Sequence, residues 1–297
     1  MKVLIAGATG YLGRYIVKEL QAHQMDFLAI ARDASKLEKE GLTATQIVEA
    51  DMTQRASLAG ICQGVEVVIS TVGITRQSNG LSYMDVDYQA NKNLLDEALK
   101  SGVRKFIYVS ILNGRELTHL KICEAKERFV QALEAARIEH SIIRPSGFFS
   151  DLEAFFQMAQ RGRVYLFGHA ENLVNPIHGA DLAAVCVDAI FRRDLEIEVG
   201  GVETYSYREI AELAFRTQGR PSRITHIPDG IRRLLLWLAR VFLSKAQYGP
   251  IEFFLNVLVL DMSTKAYGHH RLSDFFKALS TQEQRTENNM SHPGVPG

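Results

Sequence analysis

The feature that most constrains this fold is a glycine-rich turn close to the start of the chain. An apolar run at residues 2–6 is typical of a buried parallel strand, and Gly7-Ala8-Thr9-Gly10-Tyr11-Leu12-Gly13 follows it at once. Beyond this turn apolar residues recur at three- and four-residue steps, which predicts a helix. A strand, a glycine turn and a helix in this order form the context that a dinucleotide-binding motif requires.

Each glycine of the turn has its own physical reason. Gly7 allows the tight turn after the strand, Gly10 lets a pyrophosphate approach the backbone, and Gly13 lets the helix pack closely on the strand. The phosphates would lie at the helix N-terminus, where free N–H groups and the helix dipole favour negative charge. The alternative is a structural turn that binds no ligand.

Composition narrows the range of functions. The chain has 297 residues, enough for one large domain or for a core with a smaller lobe. The charges of its 34 basic and 34 acidic residues cancel, so the chain lacks the net positive charge that is typical of nucleic-acid-binding proteins. The cysteines, Cys62, Cys123 and Cys186, fit neither a zinc site nor a disulfide framework. We therefore expect buried thiols, no metal site and, because a strand leaves no room for a signal peptide, a cytoplasmic protein.

Strand-like and helix-like segments alternate over the first half of the chain. The predicted strands are Val3–Ala6, Phe27–Ala31, Thr45–Glu49, Val65–Ser70, Lys105–Ser110 and His140–Arg144. The clearest helical pattern covers Met84–Ser101. This alternation predicts an α/β fold, namely a Rossmann-type, doubly wound parallel sheet with its ligand at the carboxyl ends of the strands.

The regular alternation of strand-like and helix-like segments ends after Pro145. We expect residues 1–145 to form an NAD(P)-binding core and residues 146–280 a smaller, mainly helical substrate lobe, with 175–192 returning to the core. From residue 281 the composition becomes polar, so 281–297 is predicted to be a disordered tail.

The residues after the second predicted strand bear on the choice of dinucleotide. An NAD site places Asp or Glu there for the ribose hydroxyl, whereas an NADP site places a cation. Arg32 comes first and Asp33 second, and Arg14 follows the glycine turn. This order favours NADP(H), because a guanidinium can bind the 2′-phosphate in a forked geometry. The alternatives are NAD(H) bound through Asp33, or ordinary loop charges.

Two further segments follow predicted strands. Asp51 and Met52 come after the third strand, where a carboxylate can accept from adenine or cap the next helix. Thr71 and Gly73 come after the fourth strand, and their small size suits backbone close to a cofactor or any tight turn.

Together these pieces resemble the short-chain dehydrogenase/reductase superfamily, in its atypical branch. Besides the glycine turn, the resemblance is carried by Asp51-Met52, Tyr108-Val109-Ser110, Arg144-Pro145-Ser146-Gly147 and Asp181-Leu182-Ala183. Members usually carry Tyr-x-x-x-Lys on the helix after the fifth strand. The resemblance places Lys126 at the lysine position and Ser110 at the catalytic serine position, and it implies that both orient the ribose, nicotinamide and substrate. The tyrosine position is occupied by Ile122, which cannot transfer a proton.

Other interpretations of this helix stay open. Lys126 could instead be a solvated lysine paired with Glu124 or Glu127. Under a different alignment, Tyr88 or Tyr108 could lie near the site. In the main interpretation the proton donor is unidentified.

Within that branch the chain resembles the NmrA-like proteins and, more narrowly, the divinyl chlorophyllide 8-vinyl-reductase group. Residues 141–149, 175–184 and 267–276 carry this match. It implies NADPH-dependent hydride transfer to a conjugated C=C bond of a large apolar substrate. NmrA-like relatives imply the alternative, a non-catalytic NADP-binding sensor or assembly protein.

Several further residues have open roles. Seven aromatic side chains could line an apolar ligand site or form the core of a lobe: Phe148, Phe149, Phe155, Phe156, Trp237, Phe253 and Phe254. His178 is either a proton donor or a partly buried loop histidine. Asp181 is expected to cap a helix, and His269-His270 to lie in a surface turn.

The apolar block within residues 231–243 is interrupted by arginines and is too short to span a bilayer. We interpret it as an amphipathic helix, for which weak contact with a membrane surface is one option. The sequence gives no oligomeric state.

Overall fold

The computed structural model describes residues 1–75, 77 and 80–291. Its strands are β1 (Lys2–Ala6), β2 (Asp26–Ala31), β3 (Ile47–Glu49), β4 (Val67–Ser70), β5 (Lys105–Val109), β6 (Glu139–Pro145), β7 (Val164–Phe167), β8 (Leu173–Val174), β9 (Glu196–Val199), β10 (Tyr205–Ser206) and β11 (Ile224–Ile227). Its helices are α1 (Tyr11–Ala22), α2 (Ser35–Glu38), α3 (Asn91–Lys100), α4 (Lys121–Glu134), α5 (Glu153–Gln160), α6 (Gly179–Asp188), α7 (Tyr207–Thr217), α8 (Asp229–Phe242), α9 (Lys245–Val257) and α10 (Leu272–Ser291).

Seven of these strands form one parallel sheet in the order β3-β2-β1-β4-β5-β6-β9. Every neighbouring pair is parallel, as βαβ crossovers require. The strand order reverses between β1 and β4, which creates a switch point at their carboxyl ends. The predicted doubly wound α/β fold is confirmed.

Residues on both faces of the sheet are apolar because helices cover both. On β1, Val3 and Ile5 pack into the cluster that includes α1 and α6, whereas Leu4 and Ala6 pack into the cluster that includes α3 and α4. Side chains alternate between the two faces of a strand, so a strand covered on both sides becomes a continuous apolar run.

Several element boundaries differ from the sequence-based expectation by one or two residues, and two of the differences have a specific structural cause. The third strand begins at Ile47, because Ala44–Gln46 forms a 3₁₀ turn that Thr43 and Gln46 cap reciprocally. The long helix predicted from residue 84 begins as a π-helical segment, Met84–Ala90. There Asn91 Nδ2 donates to the Asp87 carbonyl at 2.9 Å, which satisfies an acceptor of the wider turn.

The seventh strand, β9, was not predicted. It pairs with β6 at the edge of the main sheet, and its burial alternates as expected for a half-covered edge strand. Helix α6 packs against α1 in the same core cluster. Chain from beyond residue 175 therefore completes both the sheet and one of its covering layers.

The remaining elements form a second apolar core. Helices α5, α7 and α10 pack with strands β7, β8, β10 and β11 around buried aromatic residues. Phe149, Phe155 and Phe156 belong to this core, which confirms the core interpretation for them. Phe148 and Phe253 are half-buried, whereas Trp237 and Phe254 are exposed.

The last helix extends further than the sequence indicated. Helix α10 continues to Ser291, so the prediction of a disordered tail is wrong over residues 281–291. Polar residues with good helix propensity fill this stretch, and the next proline stands at position 293, so nothing stops the helix earlier. Residues 292–297 lie outside the described residues.

All three cysteines are buried and reduced, as predicted. Burial raises the pKa of Cys62 and of Cys123 to about 12, so both thiols stay protonated. Within the part of the chain that the structure describes, no helix combines the length and apolar character needed to cross a bilayer.

We expect Gly13→Ala to destabilise the protein by about 1–3 kcal/mol, because an added methyl would overpack the α1–β1 contact. A Cβ at Gly13 would lie 2.0 Å from the Gly7 carbonyl oxygen and 2.7 Å from Ala8 Cα. Urea denaturation gives the free energy of unfolding. The matched control is Gly230→Ala in α8, where an added Cβ meets no atom within 4 Å. That change should be neutral or stabilising by about 0.5–1 kcal/mol, and equal losses at both positions would refute the packing argument.

Candidate functional site

The candidate site lies at the switch point, where the loops after β1 and β4 touch. Gly7 has a φ of +87°, and a Cβ there would come within 2.5 Å of Thr71 Oγ1. The Thr71 amide donates to the Ala6 carbonyl at 3.0 Å. The predicted residues Gly7 and Thr71 are therefore in direct contact across the two strand ends.

The N-terminus of α1 opens into this region without a side-chain cap. Gly10 is the N-cap residue, is exposed, and has extended backbone angles. The first turn carries no acidic residue. Uncapped N–H groups and the positive end of the helix dipole therefore stand free to bind an anion. Gly10 keeps this approach free of a side chain, whereas Gly13 lets the helix pack on the turn, so these residues fit the pyrophosphate of a dinucleotide.

Three other residues of the turn have different surroundings. The Tyr11 hydroxyl accepts a hydrogen bond from the Gly179 amide at 3.2 Å, which joins the starts of α1 and α6. Burial raises the pKa of Tyr11, so its phenol stays protonated. Leu12 is buried in the core, and Thr9 is half-buried in the turn. Leu12 can therefore reach a ligand only through its backbone.

The residues after β2 separate into a free cation and an engaged carboxylate. Arg32 is exposed directly after the strand. Asp33 Oδ1 accepts from the Ser35 amide at 3.1 Å and from its hydroxyl at 2.7 Å, and these bonds lower the pKa of Asp33. Arg14 is paired with Glu40 at 2.8 Å. Of the three predicted charges, Arg32 is the best placed for a 2′-phosphate.

Asp51 closes a turn after β3 and does not cap a helix. Its Oδ1 accepts from the Thr53 amide at 2.9 Å and from the Thr53 hydroxyl at 2.8 Å, whereas Gln54 is the N-cap of the short helix that follows. Met52 packs into the core, and its carbonyl accepts from Asn93. The Asp51 carboxylate is half-buried at the sheet edge, where the adenine role remains a prediction.

Lys126 is buried and paired below the loop that follows β4. Its Nζ lies 3.1 Å from Asp87 Oδ1, and a Cβ added at Gly73 would stand 2.8 Å from the same Nζ. Burial opposes the charge of Lys126, but Tyr108 and Asp87 outweigh it and raise the pKa of the lysine. The alternative of a solvated lysine paired with Glu124 or Glu127 is wrong.

Of the two tyrosines that could replace the missing proton donor, one is fully buried and the other is half-buried. Tyr108 is fully buried on β5, with Lys126 Nζ 5.5 Å from its ring centre. Burial raises its pKa to about 12. Tyr88 is half-buried with the Arg128 guanidinium over its ring at 4.9 Å. Ile122 is buried in an apolar cluster.

Ser110 belongs to a buried ionic network. Its hydroxyl donates to Glu127 Oε1 at 2.9 Å, and Glu127 is held by both terminal nitrogens of Arg144. Arg144 Nε pairs with Glu196 on β9. The hydroxyl proton therefore points inward, and donation of that proton to a substrate would require this bond to break.

A second cluster joins the start of α6 to the segment before α10. His178, and not Asp181, is the N-cap of α6, so the predicted capping role of Asp181 is wrong. Asp181 is buried and accepts from the amides of His269 and His270 at 3.2 and 3.0 Å. Burial lowers the pKa of His178, which leaves it neutral at neutral pH.

The pair His269-His270 is thus more than a surface turn. The Nδ1 atoms of His269 and His270 lie 3.4 and 2.8 Å from Asp181 Oδ1, and ligand atoms of the three residues fall within 4.8 Å of one another. Sequence spacing could not indicate this, because Asp181 is 88 residues away from His269. The expectation that the protein has no metal site stays a prediction.

Asp87 is the main polar residue of the site that the sequence analysis missed. Its Oδ2 accepts from the Ile74 amide at 3.2 Å, so it fixes the loop after β4 as well as Lys126. A signal was present, because Asp87, Asn91 and Leu94 share one face of the predicted helix. A carboxylate on a buried face requires a charged partner.

Comparison with known proteins agrees with this geometry. A family described as NAD(P)H-binding matches residues 7–193. Divinyl chlorophyllide a 8-vinyl-reductase of Arabidopsis thaliana is 26% identical over 319 residues, which cover 93% of this chain and 76% of that protein. Photosystem II assembly factor Ycf39 of Synechocystis is 26% identical over 251 residues, covering 82% and 75%.

A solved structure shows the same fold. The NADPH-dependent quinone oxidoreductase of Escherichia coli, complexed with NADPH, aligns with a TM-score of 0.73 and 19% identity, covering 93% of this chain and 99% of that one. Since the family match spans more than half of the sequence, the chain belongs to the NAD(P)H-binding, NmrA-like family of atypical short-chain dehydrogenases/reductases.

Proposed function

We propose that this protein is an NADPH-dependent reductase that transfers a hydride to a conjugated C=C bond of a large apolar substrate. One observation carries the proposal. The charged Lys126 Nζ lies against the exposed Gly73 backbone, at the same sheet edge as the uncapped start of α1. A bound dinucleotide would meet an anion site and a buried cation along one edge.

The residues at the tyrosine position favour a carbon acceptor over a carbonyl. A carbonyl acceptor needs a proton on oxygen, which a well-placed side chain supplies. Ile122 cannot supply it, and Tyr108 is buried. A conjugated alkene takes the hydride on one carbon and a solvent proton on the other, so that one C=C bond becomes a C–C single bond. Bound NADPH would supply that hydride and leave as NADP⁺.

The chain's own residues would orient and shield this reaction. Lys126 would hold the ribose hydroxyls next to Gly73, and Asp87 would keep the lysine in place. Thr71 would support the backbone between the two halves of the dinucleotide. The relatives include a reductase whose name specifies a divinyl chlorophyllide, which is the reason for proposing a large conjugated substrate.

A non-catalytic role is the second candidate, and a specific observation favours it. Ile122, the buried Tyr108 and the inward-pointing Ser110 are the three positions expected to handle protons or substrate, and none presents an exposed proton donor. A relative named as a photosystem II assembly factor belongs to the same set of matches. In this case bound NADP(H) would control association with a partner.

Consumption of NADPH separates the two candidates. The protein is mixed with NADPH and, in turn, a divinyl tetrapyrrole, an enone and a quinone, while NADPH absorbance is followed. A reductase oxidises NADPH with one of them, and mass spectrometry of the product shows the gain of two hydrogens. Tight binding of NADPH without its oxidation by any of these acceptors would favour the non-catalytic, NADP-binding role.

Arg32→Ala should weaken NADPH binding by about ten- to a hundredfold and leave NADH binding unchanged, because a charge-assisted contact to the 2′-phosphate is lost. Calorimetric titration with both nucleotides measures this. Arg14→Ala is the matched control, since Arg14 is already paired with Glu40 and should matter less. Equal losses for NADPH and NADH in the Arg32 variant would contradict the assignment to the phosphate.

Lys126→Met should cost about 3–5 kcal/mol of stability near neutral pH, because it leaves Asp87 buried without its partner. Burial raises the pKa of Asp87 above its unfolded value, so the folded variant binds a proton more tightly than the unfolded chain. The variant should therefore regain stability as the pH falls, as urea denaturation over a pH series would show.

The double variant Lys126→Met/Asp87→Asn separates stability from ligand binding. Removing the carboxylate should restore most of the lost stability. If Lys126 contacts the ribose, NADPH should still bind about tenfold more weakly than to the wild type. Full recovery of NADPH affinity would show that the lysine acts only on the fold.

A further inference from the structure

Helix α8 presents its apolar side to solvent. Leu234, Trp237, Val241 and Phe242 are 52%, 59%, 55% and 76% exposed, and Ile231 also lies on this face. Six of the fifteen exposed large apolar residues of the described structure lie on this one helix. A patch of this kind marks a surface that is covered in use.

The orientation of α8 is fixed by a charged residue on its inner side. Arg232 is buried, and its guanidinium donates to Asp229 at 2.6 Å and to the Leu255 carbonyl of α9 at 3.2 Å. Turning the apolar side inward would expel this arginine from its hydrogen bonds. The outward apolar face is thus a consequence of specific packing against α9.

Cationic side chains border one edge of the apolar face. Arg233 and Arg240 are exposed and are seven residues apart, so they share one side of the helix. Trp237 stands four residues after Arg233 and three before Arg240, so its ring lies between the arginines and the apolar centre. Asp229 is the single acidic residue of α8, against three arginines.

We propose that α8 docks in the plane of an anionic lipid surface. Its apolar residues would enter the acyl boundary, and Arg233 and Arg240 would contact lipid phosphates. Trp237 occupies the border, where an amphipathic ring is most stable. The helix has 14 residues, too few to cross a bilayer, so an in-plane position is the one that it can occupy.

Charge argues for lipid over a second copy of the chain. In an antiparallel twofold contact between two α8 faces the equivalent arginine edges would lie side by side and repel, and in either orientation a second α8 adds no acidic residue beyond Asp229. An anionic surface neutralises the same arginines. Anionic lipid therefore complements both the apolar area and the positive charge of this helix face.

Helix α9 links the docking helix to the candidate site. Helix α8 packs on α9, where Glu252 accepts a hydrogen bond from the Lys121 amide at the start of α4 and Gly249 lies against the Tyr83 ring. Helix α4 carries Lys126. Docking of α8 would therefore hold the site near the membrane, where a substrate dissolved in lipid is available, and only this last step depends on the proposed function.

Trp237 provides a direct readout, because it is the one tryptophan of the chain. The full-length protein is mixed with vesicles of phosphatidylcholine, with or without phosphatidylglycerol. We expect co-sedimentation with the anionic vesicles, a blue shift of the tryptophan emission, quenching by brominated acyl chains, and weaker binding at high salt.

Variants on exposed positions test the surface without disturbing the core. Leu234→Gln/Val241→Gln should lower the affinity for anionic vesicles by at least about tenfold, since two apolar side chains are withdrawn from the lipid. Arg240→Gln should reduce the preference for anionic lipid. Phe191→Gln is the matched control, because Phe191 is 71% exposed but lies outside α8, and it should bind as the wild type does.

Two outcomes would overturn the proposal. One is protein that stays in the supernatant with both vesicle types while Trp237 emission is unchanged. The other is a lipid-independent blue shift that rises with protein concentration together with a doubled mass by light scattering, which would assign the face to a second copy. Calorimetry with NADPH on the same preparation keeps a failure of lipid binding distinct from a failure of dinucleotide binding.

Discussion

One carbonyl oxygen organises the candidate site. The Gly7 carbonyl accepts from the Gly10 amide at 2.9 Å, lies 3.5 Å from the Thr71 hydroxyl, and occupies the space into which a Cβ of residue 13 would project. Three chain segments contact this oxygen. The contacts with Gly10 and Thr71 are hydrogen bonds, and the contact at Gly13 leaves no room for a side chain. The exposed start of α1 depends on that arrangement, because any displacement would move the helix away from the strand ends.

The sequence was sufficient for six of the seven strands of the main sheet, because these strands and the glycine turn are specified locally. Val3–Ala6 and Phe27–Ala31 are apolar runs whose type does not depend on distant residues. The strand at Glu196 was missed because an edge strand alternates over only four residues. The helical segment beyond residue 281 was not predicted, because its polar composition is compatible with both an exposed helix and a disordered tail.

Pairings across long sequence distances explain what could not be predicted of the site. Lys126 was selected from its position and its contact with a dinucleotide stays a prediction, whereas its partner Asp87 is 39 residues earlier, and the Asp181 contacts with His269 and His270 cross 88 and 89 residues. Ser110 was selected for a role at the substrate, whereas its hydroxyl meets Glu127. Sequence patterns identify which side chains need partners, but tertiary packing decides which partners they receive.

The position of β9 has a consequence for how the chain is made. The segment that carries the dinucleotide motif ends before Glu196, so a ribosome releases all of it while β6 still lacks its outer neighbour. During that interval the row of backbone groups on β6, together with Arg144, has no strand to meet. The edge of β6 therefore stays unpaired until Val199 has been made, so the core sheet is completed only by a segment that lies beyond the dinucleotide motif.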